Sequence, residues 1–157
     1  MNVEPQKEHQ WLSKLVGEWT FESECICPDQ PPMKSQGTEV VRALGGLWMV
    51  AEDECTGEYG GWKAIMTLGF DPTTKRFVGT FIATMMTHLW IYNGSLDAAE
   101  RVLTLDTVGP SFTDGAMIKY QDIIEIIADD HRTLSSQTIG PDGQWHRFMT
   151  AHYRRKK

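Results

Sequence analysis

The residue best suited to carry chemistry in this sequence is a carboxylate on an otherwise apolar strand face. Between residues 116 and 127, Asp122 interrupts an alternating series formed by Ile118, Tyr120, Ile124 and Ile126. An unpartnered carboxylate on a buried face costs several kcal/mol. Asp122 must therefore be hydrogen-bonded, have a raised pKa, or lie at the mouth of a cavity. Beside Tyr120 it could orient a ligand or move a proton, whereas an internal hydrogen bond or a register bulge would explain it as well.

A second apolar face lies on the strand predicted at residues 63–70. Trp62 and Met66 share this face by alternation, opposite the polar side chains of the same strand. Together with Tyr120 and Asp122, these side chains are predicted to line a pocket in the interior of the protein. Ordinary core packing is the competing interpretation.

The segment MMTHLWIY, residues 85–92, supplies further pocket candidates. It combines two thioethers with aromatic rings, which suit an adaptable apolar site. His88 and Trp90 are its candidate lining residues. Because no Gly or Pro marks a turn, the sequence does not decide whether the strand continues or bends near Thr87. Core packing again explains the same composition.

Metal binding is not predicted. His146 and His152 are six residues apart on one strand, so they would lie roughly 20 Å apart at ~3.3 Å per residue. The sequence contains neither H-E-x-x-H nor paired C-x-x-C spacing. Cys25 and Cys27 share a strand face without an evident fourth ligand, and reduced packing residues are the simpler interpretation.

Composition excludes several classes of protein. A formal charge of -6 argues against a nucleic-acid-binding surface. No apolar run approaches the ~18 residues of a membrane span. The N-terminal segment is polar and lacks the apolar stretch of a signal peptide, and an odd number of three Cys favours free thiols over a disulfide framework. We expect a soluble cytoplasmic protein.

The elements that must position these residues are mostly strands. A short helix is predicted at about residues 7–16, and turn signals then recur roughly every ten residues. The predicted strands are 18–26, 37–44, 47–56, 63–70, 76–84, 89–96, 102–107, 116–127, 133–139 and 144–154. Closing so many antiparallel strands removes both exposed edges. We therefore predict one domain over residues 1–157, all-β, forming a barrel of about eight to ten strands with a small cavity.

The triplet Gly17-Glu18-Trp19, which follows the helix and opens the first strand, resembles the G-x-W signature of lipocalins and other calycins. The resemblance implies that the helix closes one barrel end, where Trp19 packs against a basic residue of the last strand. Gly17 suits the helix stop because it tolerates a left-handed dihedral. Because the last strand ends at Arg154 and Arg155, we expect one of these two residues to supply the guanidinium that packs on Trp19.

A closer resemblance covers nearly the whole chain. The segments that carry it are HQWLSKLVGEWTFE, LGGLWMVAE, MTLGFDPTTKRFVGTFI, MMTHLWIYNGSLD, LTLDTVGPSF, KYQDIIE and WHRFMTAHYRR. Together they resemble the bacterial family known as domain of unknown function 1579. This resemblance implies a calycin-like barrel and no established activity, so no catalytic residue can be transferred.

The functional prediction is binding of a small, mostly apolar ligand in the barrel, with no cofactor. One alternative is a cofactor-free enzyme that uses Asp122 with a neighbouring Tyr or His, although no catalytic motif is present. A second is a haem-binding barrel, because nitrobindins of the same superfamily bind haem through a His; no residue here matches a nitrobindin motif. A third is a ligandless oligomeric scaffold. A homodimer is expected from the apolar residues on both faces of the segment 89–92.

Overall fold

Alternating apolar side chains separated by turn signals give ten antiparallel strands, which close into a barrel. The structure, a computed structural model, describes residues 3–57 and 60–157. Its elements are α1 (Lys7–Ser13), β1 (Gly17–Cys25), β2 (Met33–Leu44), β3 (Trp48–Gly57), β4 (Trp62–Asp71), β5 (Arg76–Ala83), β6 (Trp90–Leu96), β7 (Val102–Pro110), β8 (Met117–Ala128), β9 (His131–Ile139) and β10 (Trp145–Arg155). Each strand pairs with its sequence neighbours and β10 pairs with β1. The predicted barrel with an N-terminal helix is confirmed.

Helix α1 packs its apolar face against one end of the barrel. Trp11, Leu12 and Leu15 are almost completely buried there. The side chain of His9 accepts a hydrogen bond from the Gln6 backbone N–H through Nδ1 at 2.8 Å, so Nε2 must carry the proton that reaches the Phe70 carbonyl at 3.0 Å. In the part of the chain that is described, no helix is long and apolar enough to cross a membrane.

Several predicted boundaries move by a few residues. The α-helix ends at Ser13, and residues 14–16 continue as a tighter turn with i to i−3 hydrogen bonds before Gly17. Strand β2 begins at Met33, because Met33 still pairs with Cys25 of β1. Strand β7 extends to Pro110, because its last residues pair with the start of β8. Residues 84–89 form a connection, so the strand breaks at a place where neither Gly nor Pro marks a turn in the sequence.

Strict alternation along the sequence of β10 gives no purely apolar face, because Trp145 and Met149 alternate with Arg147 on one side and Phe148 lies between two His on the other. The register of β10 against β9 shifts between Arg147 and Met149, which marks a bulge at Phe148. After the bulge, Ala151 and Tyr153 are buried. An extra residue at this point reverses the alternation, and this is why simple counting found no purely apolar face.

Burial of the inward side chains changes along the barrel axis. At the helix end, Trp19, Leu68, Phe77 and Leu103 are at most 2% exposed. At the opposite end, the inward residues keep accessible surface: Cys25, Trp62, Phe81 and Trp90 are only half-buried. The barrel is therefore packed at its helix end, and its interior becomes more accessible toward the other end, which we call the mouth.

Candidate binding site in the barrel interior

Asp122 lies inside the barrel and has two side-chain donors. The hydroxyl of Tyr92 on β6 donates to Oδ2 at 2.5 Å, and the hydroxyl of Ser136 on β9 donates to Oδ1 at 2.6 Å. Asp122 is surrounded by protein atoms, yet part of its surface remains accessible. Asp122 is thus an inward carboxylate that is hydrogen-bonded but not completely buried.

The surroundings change the proton affinity of both groups. Burial raises the pKa of Asp122, while the hydrogen bonds from Ser136 and Tyr92 lower it in part. Burial, and then the charge of Asp122, raise the pKa of Tyr92 well above its usual value. Tyr92 therefore keeps its proton at neutral pH and acts as a hydrogen-bond donor.

Three further inward residues carry buried polar atoms without a hydrogen-bond partner: Asp53 through Oδ1, Thr107 through Oγ1 and Arg132 through Nε. They lie on β3, β7 and β9, at positions whose side chains point into the barrel. Burial raises the pKa of Asp53 from 3.8 to about 7. Because a buried polar group without a partner is costly, these atoms are the interior positions at which a ligand or water would be stabilised.

A buried ion pair joins β2 and β9 inside the barrel. The guanidinium of Arg132 donates to the carboxylate of Glu39 on β2, and their side chains are only 5% and 6% exposed. The same guanidinium packs on the rings of Trp19 and Tyr153, with Cζ 4.7 and 4.1 Å from the ring centroids. Burial lowers the pKa of Arg132 to about 10, so it stays charged at neutral pH.

Aromatic rings surround the mouth. Trp90 meets Tyr120 edge to face at 5.0 Å between centroids, and Phe112 contacts both Tyr120 at 6.0 Å and Phe148 at 5.4 Å. Phe148 reaches this group because of the bulge in β10. The Tyr120 hydroxyl donates to the Pro110 carbonyl at 2.7 Å, which fixes the ring at the rim.

The predicted pocket residues fall into separate groups. Tyr120 and Trp90 belong to the aromatic mouth, whereas Asp122 contacts Tyr92 rather than Tyr120. Trp62 stacks on Phe21, with 6.0 Å between ring centroids.

Two other predicted residues lie apart from these contacts. Met66 is 8% exposed and part of the core. His88 lies in the connection before β6, packs against Trp90 at 4.7 Å, and its Nε2 is 2.9 Å from the Val108 carbonyl oxygen. One ring nitrogen of this histidine is therefore already engaged.

The helix end is closed by Trp19 and Arg155. The Trp19 indole donates to the Leu15 carbonyl at 2.9 Å, and the Arg155 guanidinium lies 4.2 Å from the ring centroid. A Cβ on Gly17, whose φ is +141°, would lie 2.3 Å from the Arg155 guanidinium, so the glycine gives this side chain its space. Arg154, the other predicted donor, is exposed on the outer wall.

Two hollows are present on this barrel. One is an open groove of about 1020 Å³ across β10, β1, β2 and β3, lined mostly by outward polar side chains. The other, of about 250 Å³, lies between α1 and the closed barrel end and is lined in part by Trp19, Arg132 and Arg155. Neither is lined by any of the six predicted pocket residues.

The thiols do not form a metal site with other ligands. Cys25 and Cys27 have their Sγ atoms 3.9 Å apart, and burial, then the neighbouring Cys27, raise the pKa of Cys25 to about 11. Among the residues that the structure describes, no three His, Cys, Asp or Glu side chains are grouped to hold a metal ion.

Sequence reasoning did not identify Tyr92, Ser136, Asp53, Glu39 or Arg132. Each is a polar or amphipathic residue at an inward position of its strand, so strict alternation was the available signal. Asp53 lies within Glu52-Asp53-Glu54, a run that resembles a solvated edge, and only its inward position separates it from its neighbours.

The chain is similar to known proteins at two levels. The sequence model of a family described as "Protein of unknown function (DUF1579)" matches residues 4–155. No curated protein matches significantly. Among solved structures, Rv2717c from M. tuberculosis has 14% sequence identity and a TM-score of 0.64, covering 98% of this chain and 100% of that one.

Two further solved structures have the same fold. The S-type phycobiliprotein lyase CPES from Guillardia theta has 10% identity and a TM-score of 0.62, with 99% of both chains covered. EF1p2_mFAP2b, in a structure bound to DFHBI, has 14% identity and a TM-score of 0.50, covering 94% of this chain and 98% of that one. At these identities the likeness concerns the fold alone.

Proposed function

The chain belongs to the DUF1579 family, whose description assigns no activity, and we propose that it binds a small, mostly apolar ligand with one polar group inside the barrel. The observation that carries this proposal is the set of unpartnered polar atoms on Asp53, Thr107 and Arg132. A ligandless core would be more stable with apolar residues at these positions, because each unsatisfied group costs about 1–3 kcal/mol. A ligand, or the water that it displaces, would satisfy them.

The arrangement of apolar and polar groups supports the same proposal. The mouth carries the rings of Trp90, Tyr120, Phe112 and Phe148, and the polar groups lie deeper in the barrel. Ligand sites are commonly apolar with a few placed polar groups. The barrel of EF1p2_mFAP2b, which is described as bound to DFHBI, supports the view that a barrel of this kind can hold a small molecule.

The alternatives receive less support. An enzyme that uses Asp122 as a base is disfavoured because both carboxylate oxygens already accept hydrogen bonds. If His88 were the axial ligand of a haem, the iron would have to bind its other ring nitrogen, or the contact of Nε2 with the Val108 carbonyl oxygen would have to be lost. A ligandless scaffold does not explain why Asp53, Thr107 and Arg132 have unpartnered polar atoms in the interior.

Native mass spectrometry tests the proposal most directly. Protein purified without denaturation should carry an additional small mass that disappears after unfolding and refolding. Mass spectra that show only the bare chain, together with no uptake of any added apolar compound, would contradict ligand binding.

A titration with the neutral dye Nile red locates the site. We expect saturable binding at one site per barrel, with blue-shifted emission. Trp90→Ala and Tyr92→Phe should each weaken binding about five- to tenfold, through loss of mouth contacts and of the donor to Asp122. Trp48→Ala is the matched control, because Trp48 is an exposed aromatic residue at the start of β3. An equal effect of all three variants would place the dye elsewhere.

The cytoplasmic location, the bacterial origin and the homodimer stay predictions.

A further inference from the structure

Above about pH 7, where Asp53 is ionised, the inward acidic and basic side chains are unbalanced in charge. Among the described residues, four of these side chains point into the barrel: Glu39, Asp53, Asp122 and Arg132. The charge of Arg132 is compensated by Glu39, with which it forms a buried ion pair. Arg155 lies beyond the Trp19 ring and donates to three backbone carbonyls. Two carboxyl groups, Asp53 and Asp122, therefore form no ion pair with a basic side chain among the described residues.

The carboxyl groups of Asp53 and Asp122 also have hydrogen-bond acceptor capacity that the protein leaves unused. Oδ1 of Asp53 has no donor at all. Each oxygen of Asp122 has a single donor, although a carboxylate oxygen can accept two hydrogen bonds. Asp53 and Asp122 can therefore each accept at least one further hydrogen bond.

The Nε of Arg132 does not alter this balance. The guanidinium is held by Glu39 and packs on the Trp19 and Tyr153 rings at the closed end. Asp53 lies opposite Glu39 in the register of β2 and β3, so an anionic ligand at this guanidinium would also lie near two carboxyl groups. Like-charge repulsion in a low-dielectric interior opposes such a ligand.

We propose that the interior selects a cationic nitrogen compound, an amine with an aromatic or aliphatic body, over the corresponding neutral or anionic compound. This inference rests on the proposed ligand-binding function. The ammonium group would donate to Asp53 and Asp122 and compensate their charge, while the apolar body would pack against the rings at the mouth. Charge-assisted hydrogen bonds are the stronger class, so the preference should be large enough to measure.

Three probes with one apolar body test the inference on the unmodified protein: naphthylethylamine, naphthylethanol and naphthylacetate. Calorimetric titrations at pH 8 and low salt should give an affinity for the amine at least about tenfold higher than for the alcohol. Naphthylacetate should bind most weakly. Equal affinities would overturn the charge preference while leaving ligand binding intact. Failure of all three probes to bind would count against both.

Conservative variants locate the effect. Asp53→Asn and Asp122→Asn should each reduce the preference for the amine over the alcohol about fivefold or more, while the affinity for naphthylethanol stays nearly constant. Glu54→Gln is the matched control, since Glu54 is exposed and adjacent to Asp53 on the opposite face. If both interior variants keep the full preference, or if Glu54→Gln removes it, the assignment to Asp53 and Asp122 is wrong. The comparison of probes on the unmodified protein stands even where a variant does not fold.

Discussion

At the scale of single residues, Arg132 shows how the barrel holds a charge that water would otherwise solvate. Its guanidinium pairs with Glu39 and packs on two aromatic rings, and both ionic side chains are nearly fully buried. Removing water from two charges costs several kcal/mol per ion, and only good geometry recovers this cost. The pair is therefore sensitive to the loss of either member.

Arg132→Met should destabilise the protein by about 3–5 kcal/mol, because it leaves the Glu39 carboxylate buried without a partner. Adding Glu39→Gln should restore part of that stability, and the recovery measures the coupling. Urea unfolding of the single and double variants gives these values. The matched control is the exposed pair Arg42–Glu52, 3.1 Å apart, whose disruption should cost at most about 1 kcal/mol. Similar losses for the two pairs would contradict the assigned burial.

Trp19→Ala should cost about 3–5 kcal/mol, because a fully buried indole is removed at the closed barrel end. Arg155→Ala should cost about 1–3 kcal/mol, since its guanidinium packs on that ring and donates to the carbonyls of Val16, Lys14 and Asp129. The double variant should show coupling. Arg154→Ala, an exposed neighbour, should change stability by no more than about 0.5 kcal/mol. Urea melts in which Arg154→Ala costs as much as Arg155→Ala would disprove this closure.

Asp53 should make the protein less stable as pH rises. Its pKa is 3.8 when free and about 7 in the folded protein, so between these values the folded state holds a proton that the unfolded state has released. The unfolding free energy should therefore fall from about pH 4 to about pH 7 and then level off, by at most about 4 kcal/mol. Denaturant melts of Asp53→Asn should show a flatter profile than the parent. Glu54→Gln, on the exposed face, should keep the parental slope.

At the scale of elements, the strands are shaped by close backbone contacts as well as by alternation. Gly37 on β2 lies between Phe21 of β1 and Cys55 of β3 in the sheet. A Cβ at this position would come 2.2 Å from the Glu54 carbonyl oxygen and 2.7 Å from the Phe21 ring. The first of these contacts is with backbone, so it cannot be relieved by a change of rotamer. Glycine here permits the tight curvature that closure of the barrel requires.

Gly37→Ala should consequently destabilise the barrel by about 2–3 kcal/mol through overpacking. Gly57→Ala provides the control on the adjacent strand, because its Cβ would meet only the Ser35 Cβ at an ordinary 3.7 Å. Thermal melts followed by circular dichroism measure both. If Gly37→Ala melts at the same temperature as the unmodified protein, the predicted clash of its Cβ with the Glu54 carbonyl does not destabilise the barrel.

At the scale of the whole molecule, an apolar stripe crosses the outer wall of the barrel. Ile65 on β4 pairs directly with Ile82 on β5, and Ile91 lies on the next strand. These side chains are 37%, 48% and 63% exposed. Contiguous apolar surface of this kind is typical of a protein interface.

We expect a homodimer that buries this stripe, since a self-complementary patch favours two-fold pairing. Ile82→Lys should shift the protein to a monomer in sedimentation experiments at micromolar concentration, because the new charge would be desolvated in the interface. Val40→Lys, an equally exposed apolar position on β2, should leave the assembly unchanged. A parent protein that sediments only as a monomer would contradict the interface.

The sequence by itself determined the all-β class, the number of strands within narrow limits, and the inward faces of β4 and β8. These properties depend on local rules, because side chains alternate along a strand and Gly, Pro and Asp mark turns. It also indicated that Asp122 interrupts a buried face. Local rules failed at the bulge near Phe148, where the alternation reverses, and at the connection 84–89, where no Gly or Pro marks the end of the strand.

Only the tertiary structure decided which inward residues meet. Asp122 finds Tyr92 and Ser136, 30 and 14 positions away, and Arg132 finds Glu39 across 93 positions. Alternation gives the direction of a side chain but not its height along the barrel axis. That height is set by the stagger between strands and by the pairing of β10 with β1, both of which arise only when the sheet closes. The proposed binding site thus depends on barrel formation, because its polar groups come from strands that lie far apart in the sequence and meet only in the folded barrel.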